Sequence, residues 1–187
     1  MKRLTVLVDM DDTLEMLGEA WCKYLNARYG CSVAYEDMNQ WDVASIFSTI
    51  TREQVLAPLL EDEFWEHVKP IDGAVDGLKK IIEDGHRVYI VTTSSYQSLK
   101  AKMDKVLFRY FPYLSWSDIV ITSNKQMIRG DVLVDDGPHN LVGGSYAKIM
   151  MDAPHNRQFN EKDHGIRRVK TWDEVYSAIC EIAQEGR

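Results

Sequence analysis

The sequence predicts an α/β protein: a doubly wound parallel sheet with a small helical cap inserted after its first strand. Three observations carry this expectation. Apolar runs of strand length recur along the 187 residues, with helix-like segments between them, the alternation that builds a parallel sheet. The runs are continuous rather than alternating, as strands covered on both faces require. One interval, from residue 15 to about 72, is far longer than a strand-to-helix connection needs.

Leu4–Val8 is the first strand. Within the long interval, Glu15–Tyr29 and Arg52–Leu60 read as helices, and Trp21, Trp41, Phe47, Phe64 and Trp65 supply aromatic mass. In Ala74–Glu83, Val75, Leu78, Ile81 and Ile82 form an apolar helical stripe that stops at Asp84-Gly85. Arg87–Thr92 is the second strand and Ser98–Tyr110 the helix after it. Asp118–Thr122, Val132–Val134 and Ala147–Met151 are the third, fourth and fifth strands. Thr171–Ala183 closes the chain as a helix, with Val175, Ile179 and Ile182 on one face and Thr171 with Glu174 as a capping box. Residues 1–14 and 73–187 are thus expected to form the core, and 15–72 the cap.

Hydrophobic residues make up 45% and charged residues 27% of the chain, an ordinary globular balance. A net charge of −7 argues against binding a nucleic-acid polymer, which needs a basic face. A small phosphorylated substrate remains open, because a metal ion can supply local positive charge. Cys22, Cys31 and Cys180 match neither a disulfide framework nor a zinc site, which suits reduced thiols in a cytoplasmic protein. The apolar run after Lys2 and Arg3 is too short for a signal peptide, and no run is long enough to span a membrane.

The chemistry is expected at the strand ends, where open α/β sheets bind ligands. Asp9 and Asp11 follow the first strand two residues apart, in Asp9-Met10-Asp11-Asp12. A carboxylate can attack phosphorus, and a second acid can protonate the leaving oxygen and then activate water. An acidic turn or helix N-cap is the plainer reading. The second strand ends in Thr92-Thr93-Ser94-Ser95, whose hydroxyls and N–H groups suit a phosphate or a simple N-cap. The fourth ends in Asp135-Asp136, acids that need solvent, partners or a metal. Lys125 lies between, placed either at the surface or against this charge.

Taken together, Asp9-Met10-Asp11-Asp12-Thr13, Thr92, Lys125 and Asp135-Asp136 resemble the haloacid dehalogenase superfamily of phosphohydrolases over nearly the whole chain. The resemblance implies Asp9 as nucleophile and Asp11 as general acid/base, with Thr92, Thr93 and Lys125 around the phosphoryl group. It also implies Mg2+ held by Asp9, the Asp11 carbonyl and one of Asp135 or Asp136. Within the superfamily the chain looks most like the 5′(3′)-deoxyribonucleotidases, through its Val-Asp-Met-Asp opening, Phe64-Trp65 before Pro70-x-x-Gly73-Ala74, and Leu133-Val134-Asp135-Asp136-x-Pro138. The implied substrate is a (deoxy)ribonucleoside monophosphate, with Trp41 and Phe64 as candidates to hold the base. Asp12-Thr13 and the 155–168 stretch depart from the family pattern and leave base and sugar preference open. Two alternatives stand: the same chemistry on another small ester such as a sugar phosphate, and a non-catalytic phospho-receiver. His67, His86, His139, His155 and His164 show no ligand spacing and are expected at the surface or in satisfied positions. His139 is also a candidate neighbour of the acid pair. Arg157 is expected in a solvated loop rather than on a phosphate.

Overall fold

A computed structural model describes residues 2–185. The strands are β1 (Thr5–Val8), β2 (Arg87–Thr92), β3 (Ile119–Ile121), β4 (Val132–Asp135), β5 (Ala147–Met151) and β6 (Ile166–Val169). They form one sheet in the order β3-β2-β1-β4-β5-β6. Every adjacent pair is parallel, and Val6 of β1 lies between Val88 of β2 and Val132 of β4. The direction of winding reverses between β1 and β4, so a crevice opens beyond their carboxyl ends. The doubly wound parallel sheet is therefore as expected.

The helices are α1 (Leu17–Tyr29), α2 (Arg52–Leu56), α3 (Asp62–Trp65), α4 (Ala74–Glu83), α5 (Tyr96–Lys102), α6 (Phe108–Tyr110), α7 (Pro138–Leu141) and α8 (Trp172–Glu185). Between α5 and α6 the turns widen into a π-helix over Met103–Leu107, so the expected helix from Ser98 to Tyr110 is interrupted. Helix α1 stops at Gly30, whose φ of 67° places it in the left-handed region where a side chain is disfavoured. The capping box at α8 is offset. The Glu174 N–H donates to Thr171 Oγ1, but the Glu174 carboxylate accepts from the N–H of Lys170 rather than that of Thr171.

A sixth strand, β6, was not expected. In Ile166-Arg167-Arg168-Val169 the two end residues are buried, on opposite faces of the sheet and in separate apolar clusters, with the two arginines between them. Val6, Leu7 and Val8 are completely buried. The fit under β1 is close: a Cβ at Gly130 would lie 2.6 Å from Leu7 Cγ. The chain between α1 and α3 enters and leaves through a narrow neck. The Met16 N–H donates to the Lys69 carbonyl, and the Ile71 N–H to the Leu14 carbonyl, each at 2.9 Å. Within this inserted stretch, Trp21, Phe47 and Phe64 join the same buried cluster as Val6 and Val8. No helix among the described residues is long and apolar enough to cross a membrane.

Candidate active site

The apolar strand β1 ends at Val8, and the chain then turns through Asp9-Met10-Asp11-Asp12. Asp12 has a φ of 49°, the one positive value outside glycine among the described residues. Aspartate tolerates this conformation better than most residues. Its Oδ1 accepts the Gly18 N–H at 2.9 Å, which tethers the start of α1 to the turn. Burial pushes the Asp12 carboxyl up to about 6, although that N–H opposes the shift.

Lys125 joins the two acidic strand ends. Its ammonium lies 2.6 Å from Asp9 Oδ1 and 2.7 Å from Asp135 Oδ2. Burial opposes the charge on Lys125, but Asp9 and Asp135 outweigh it and hold the ammonium above the usual lysine range. The second Asp135 oxygen accepts the Gly137 N–H at 2.8 Å and the Asn140 amide at 3.0 Å. Asp136 differs: its Oδ2 lies 2.8 Å from His155 Nε2, and its Oδ1 is buried without a hydrogen-bond partner. Burial, reinforced by Asp135 and Asp12, pushes the Asp136 carboxyl well up. Burial also raises Asp9, against the pull of Lys125, with Asp135, Asp136 and Asp11 adding to the rise. The cluster thus holds more buried negative charge than its lysines offset.

Asp11 faces a second lysine, Lys102, at 2.7 Å. Burial would raise the Asp11 carboxyl, but the neighbouring Lys102 ammonium, with Glu15 and Lys125 adding to its pull, outweighs it and holds Asp11 below the usual range. Glu15 is fully buried, and burial together with the Asp11 charge drives its carboxyl well above the usual range. Of these two neighbouring carboxyls, Glu15 is thus driven toward its neutral form and Asp11 toward its ionised form.

A cavity of about 390 Å3 opens over these groups. Asp9, Asp11, Asp12, Thr93, Lys125 and Asp136 line its floor, and Trp21, Tyr35, Gln40, Trp41, His139 and His155 its walls. The structure therefore brings together Asp9, Asp11, Thr93, Lys125, Asp135 and Asp136, and sets Trp41 at the rim. Trp41 is 59% exposed and stands edge-on to His139 and His155.

Other expectations are corrected. Phe64, a candidate for the base, is completely buried against Tyr24 and Trp65 and does not reach the cavity. Thr92, expected on the phosphoryl group, is also buried and outside the cavity lining, because its hydroxyl accepts from Lys102 at 2.9 Å. Ser95 caps α5 through the Ser98 N–H, the plainer of the two readings of the Thr-Thr-Ser-Ser run. His155 is a cavity wall rather than a surface residue. Arg157 lies on no phosphate-facing wall and pairs with Glu36 and Asp152.

Sequence reasoning missed Lys102, Glu15 and His155. The available signal for Lys102 was a lysine four residues after Ser98 and four before Val106, on the buried face of its helix.

An acid pair just beyond the first strand of a doubly wound sheet, met by two buried lysines and a second acid pair, defines a phosphohydrolase of the haloacid dehalogenase class. Solved structures agree on the fold. A haloacid dehalogenase family hydrolase from Deinococcus radiodurans R1, with bound phosphate and sodium, superposes with a TM-score of 0.61 at 15% identity, covering 95% of each chain. A haloacid dehalogenase hydrolase from Bacillus subtilis bound to magnesium gives 0.60 at 15% identity, covering 96% of this chain and 99% of that one. Residues 3–185 match the family model for 5′ nucleotidase, deoxy (pyrimidine), cytosolic type C protein, and the chain belongs to that family. It is 34% identical over 172 residues to the 5′(3′)-deoxyribonucleotidase of Bacillus subtilis strain 168, covering 91% of this chain and 95% of that one. The protein is accordingly a phosphomonoester hydrolase of the nucleotidase type.

Proposed function

We propose that the chain hydrolyses (deoxy)ribonucleoside monophosphates through an aspartyl-phosphate on Asp9, with Mg2+ as cofactor and residues 15–72 acting as the cap. The observation that carries this reading is the placement of Asp9. It sits at the end of β1, held 2.6 Å from Lys125, on the floor of a cavity whose rim bears an exposed Trp41.

The donor set fits a hard divalent cation. Asp9, Asp135 and Asp136 each offer a carboxylate oxygen within 4.8 Å of the others, and carboxylates are the ligands magnesium favours. Both Asp135 oxygens already accept hydrogen bonds, whereas Asp136 keeps a buried unpartnered oxygen. The ion would therefore be held by Asp9, Asp136 and the Asp11 carbonyl, with Asp135 orienting Lys125. When bound, magnesium supplies the positive charge that this acidic cluster lacks.

The remaining chemistry belongs to the chain. An Asp9 carboxylate oxygen attacks phosphorus. The bond from phosphorus to the ester oxygen breaks with its electron pair, and that oxygen takes at Asp11 the single proton held by the Asp11–Glu15 pair, which rests on Glu15 beforehand. Water then attacks the same phosphorus and gives its proton to Asp11. The Asp9–phosphorus bond breaks, returning the carboxylate and releasing inorganic phosphate. Lys125 and the Thr93 segment face the charge spread over the phosphoryl oxygens, since such transfers depend on positioning and charge neutralisation. The cap walls exclude bulk water from the attack.

The test is phosphate release from ribo- and deoxyribonucleoside monophosphates, with a sugar phosphate as comparison, each with and without magnesium. Preference for nucleotides with strict magnesium dependence is expected. Preference for the sugar phosphate would replace the substrate class, and magnesium-independent turnover would remove the cofactor.

A further inference from the structure

We propose that Lys102 is a positioning residue for the acid/base carboxyl of Asp11, an inference that rests on the phosphatase reading above. Lys102 is 1% exposed, and its ammonium lies 2.7 Å from Asp11 Oδ2, 2.9 Å from Thr92 Oγ1 and 3.3 Å from the Thr93 carbonyl. Three acceptors match the three N–H donors of an ammonium. Burying that charge is costly, and an apolar side chain of similar volume would avoid the cost.

The ammonium does not line the cavity, so it acts on a substrate only through its partners. It ties the loop after β1, which carries Asp11, to Thr92 at the end of β2. The helix backbone is also specialised there: α5 gives way to the π-turn Met103–Leu107 immediately after Lys102. Such widened turns occur often at functional sites. The two buried lysines thus divide the work. Lys125 holds Asp9 and Asp135, while Lys102 fixes the Asp11 carboxyl through which the leaving ester oxygen receives its proton.

A fixed proton donor matters most when the leaving oxygen is a strong base. The experiment compares kcat/KM of the full chain and K102M on a deoxyribonucleoside 5′-monophosphate and on p-nitrophenyl phosphate, whose phenolate departs without a proton. K102M is expected to lose about 100-fold or more on the nucleotide but less than about tenfold on the aryl ester, with a cooperative melting transition retained. Equal losses on the two esters, or no loss on the nucleotide, overturn the proposal. If K102M does not fold, D11N/K102M, which removes both charges of the pair, is compared with D11N. Equal kcat/KM on the nucleotide is then expected, and a further drop overturns the positioning role. A wild-type chain that hydrolyses neither ester removes the phosphatase reading itself, and this inference with it.

Discussion

The ammonium of Lys125 and the carboxylate of Asp9 form a buried pair 2.6 Å apart, and the same ammonium reaches Asp135 at 2.7 Å. Removing the lysine leaves two carboxyl groups facing each other with little access to water. K125M is expected to lose about 3–5 kcal/mol of stability, and its turnover should fall below detection. D9N keeps the volume and replaces the carboxylate proposed to attack phosphorus with a neutral amide. It should fold with a melting temperature near wild type and show no turnover. Urea unfolding and phosphate release check both variants, and substantial turnover by D9N would rule out Asp9 as the nucleophile.

Asp135 and Asp136 are neighbours in sequence but not in role. Asp135 has both oxygens occupied by Lys125, Gly137 and Asn140, whereas Asp136 Oδ1 has no partner. Magnesium at 100 times its dissociation constant should stabilise the wild-type chain by about 2.7 kcal/mol, read as a rise in melting temperature. D136N is expected to lose most of that rise, and a chelator should reverse it in the wild type. A full magnesium-dependent rise in D136N would move the site elsewhere.

Trp41 and Phe64 separate cleanly. Trp41 is exposed at the cavity rim, while Phe64 is wholly enclosed. Stacking on a base contributes about 1–3 kcal/mol, so W41A should raise KM for nucleotides by roughly 5- to 150-fold. Its KM for a base-free ester and its melting temperature should stay near wild type. F64A should lose about 3–5 kcal/mol of stability and impair both substrates alike. An equal rise in KM for the base-free ester in W41A would mean that the ring supports the cap rather than the base.

The fold was legible where burial is two-sided. Runs such as Val6-Leu7-Val8 and Val132-Leu133-Val134 are apolar throughout because helices cover both faces of the sheet. Strand β6 has no sequence signature because two arginines separate its buried residues: Arg167 pairs with Glu181 of α8, and Arg168 turns to Asp152, Asn156 and Glu161. In the site, Asp9, Asp11 and the Asp135-Asp136 pair stood out because acids abruptly end apolar strands. Which of two adjacent threonines faces the cavity depends on the last residue of β2 turning inward to Lys102, a three-dimensional contact with no spacing signature. Lys102 and Glu15 look like surface residues of helical segments until the neck and α5 bring them against Asp11.

His86 makes acid sensitivity testable away from the acidic cluster. Its Nδ1 accepts the Leu4 N–H at 3.2 Å at the start of β1, a bond that requires that nitrogen to be unprotonated. Burial holds the imidazole below the ordinary histidine range, with Asp84 only partly opposing the shift. As pH falls below about 6.5 the unfolded chain therefore takes up more protons than the folded one, and folding stability declines with it. His86→Asn keeps an acceptor but does not titrate. The unfolding free energy of wild type relative to this variant should be constant above about pH 7.5. It should fall between about pH 7 and 5, by at most about 1.4 kcal/mol per pH unit. Chemical denaturation of both proteins across that range measures the difference directly, and a flat difference would show that the imidazole binds its proton equally well in the folded chain.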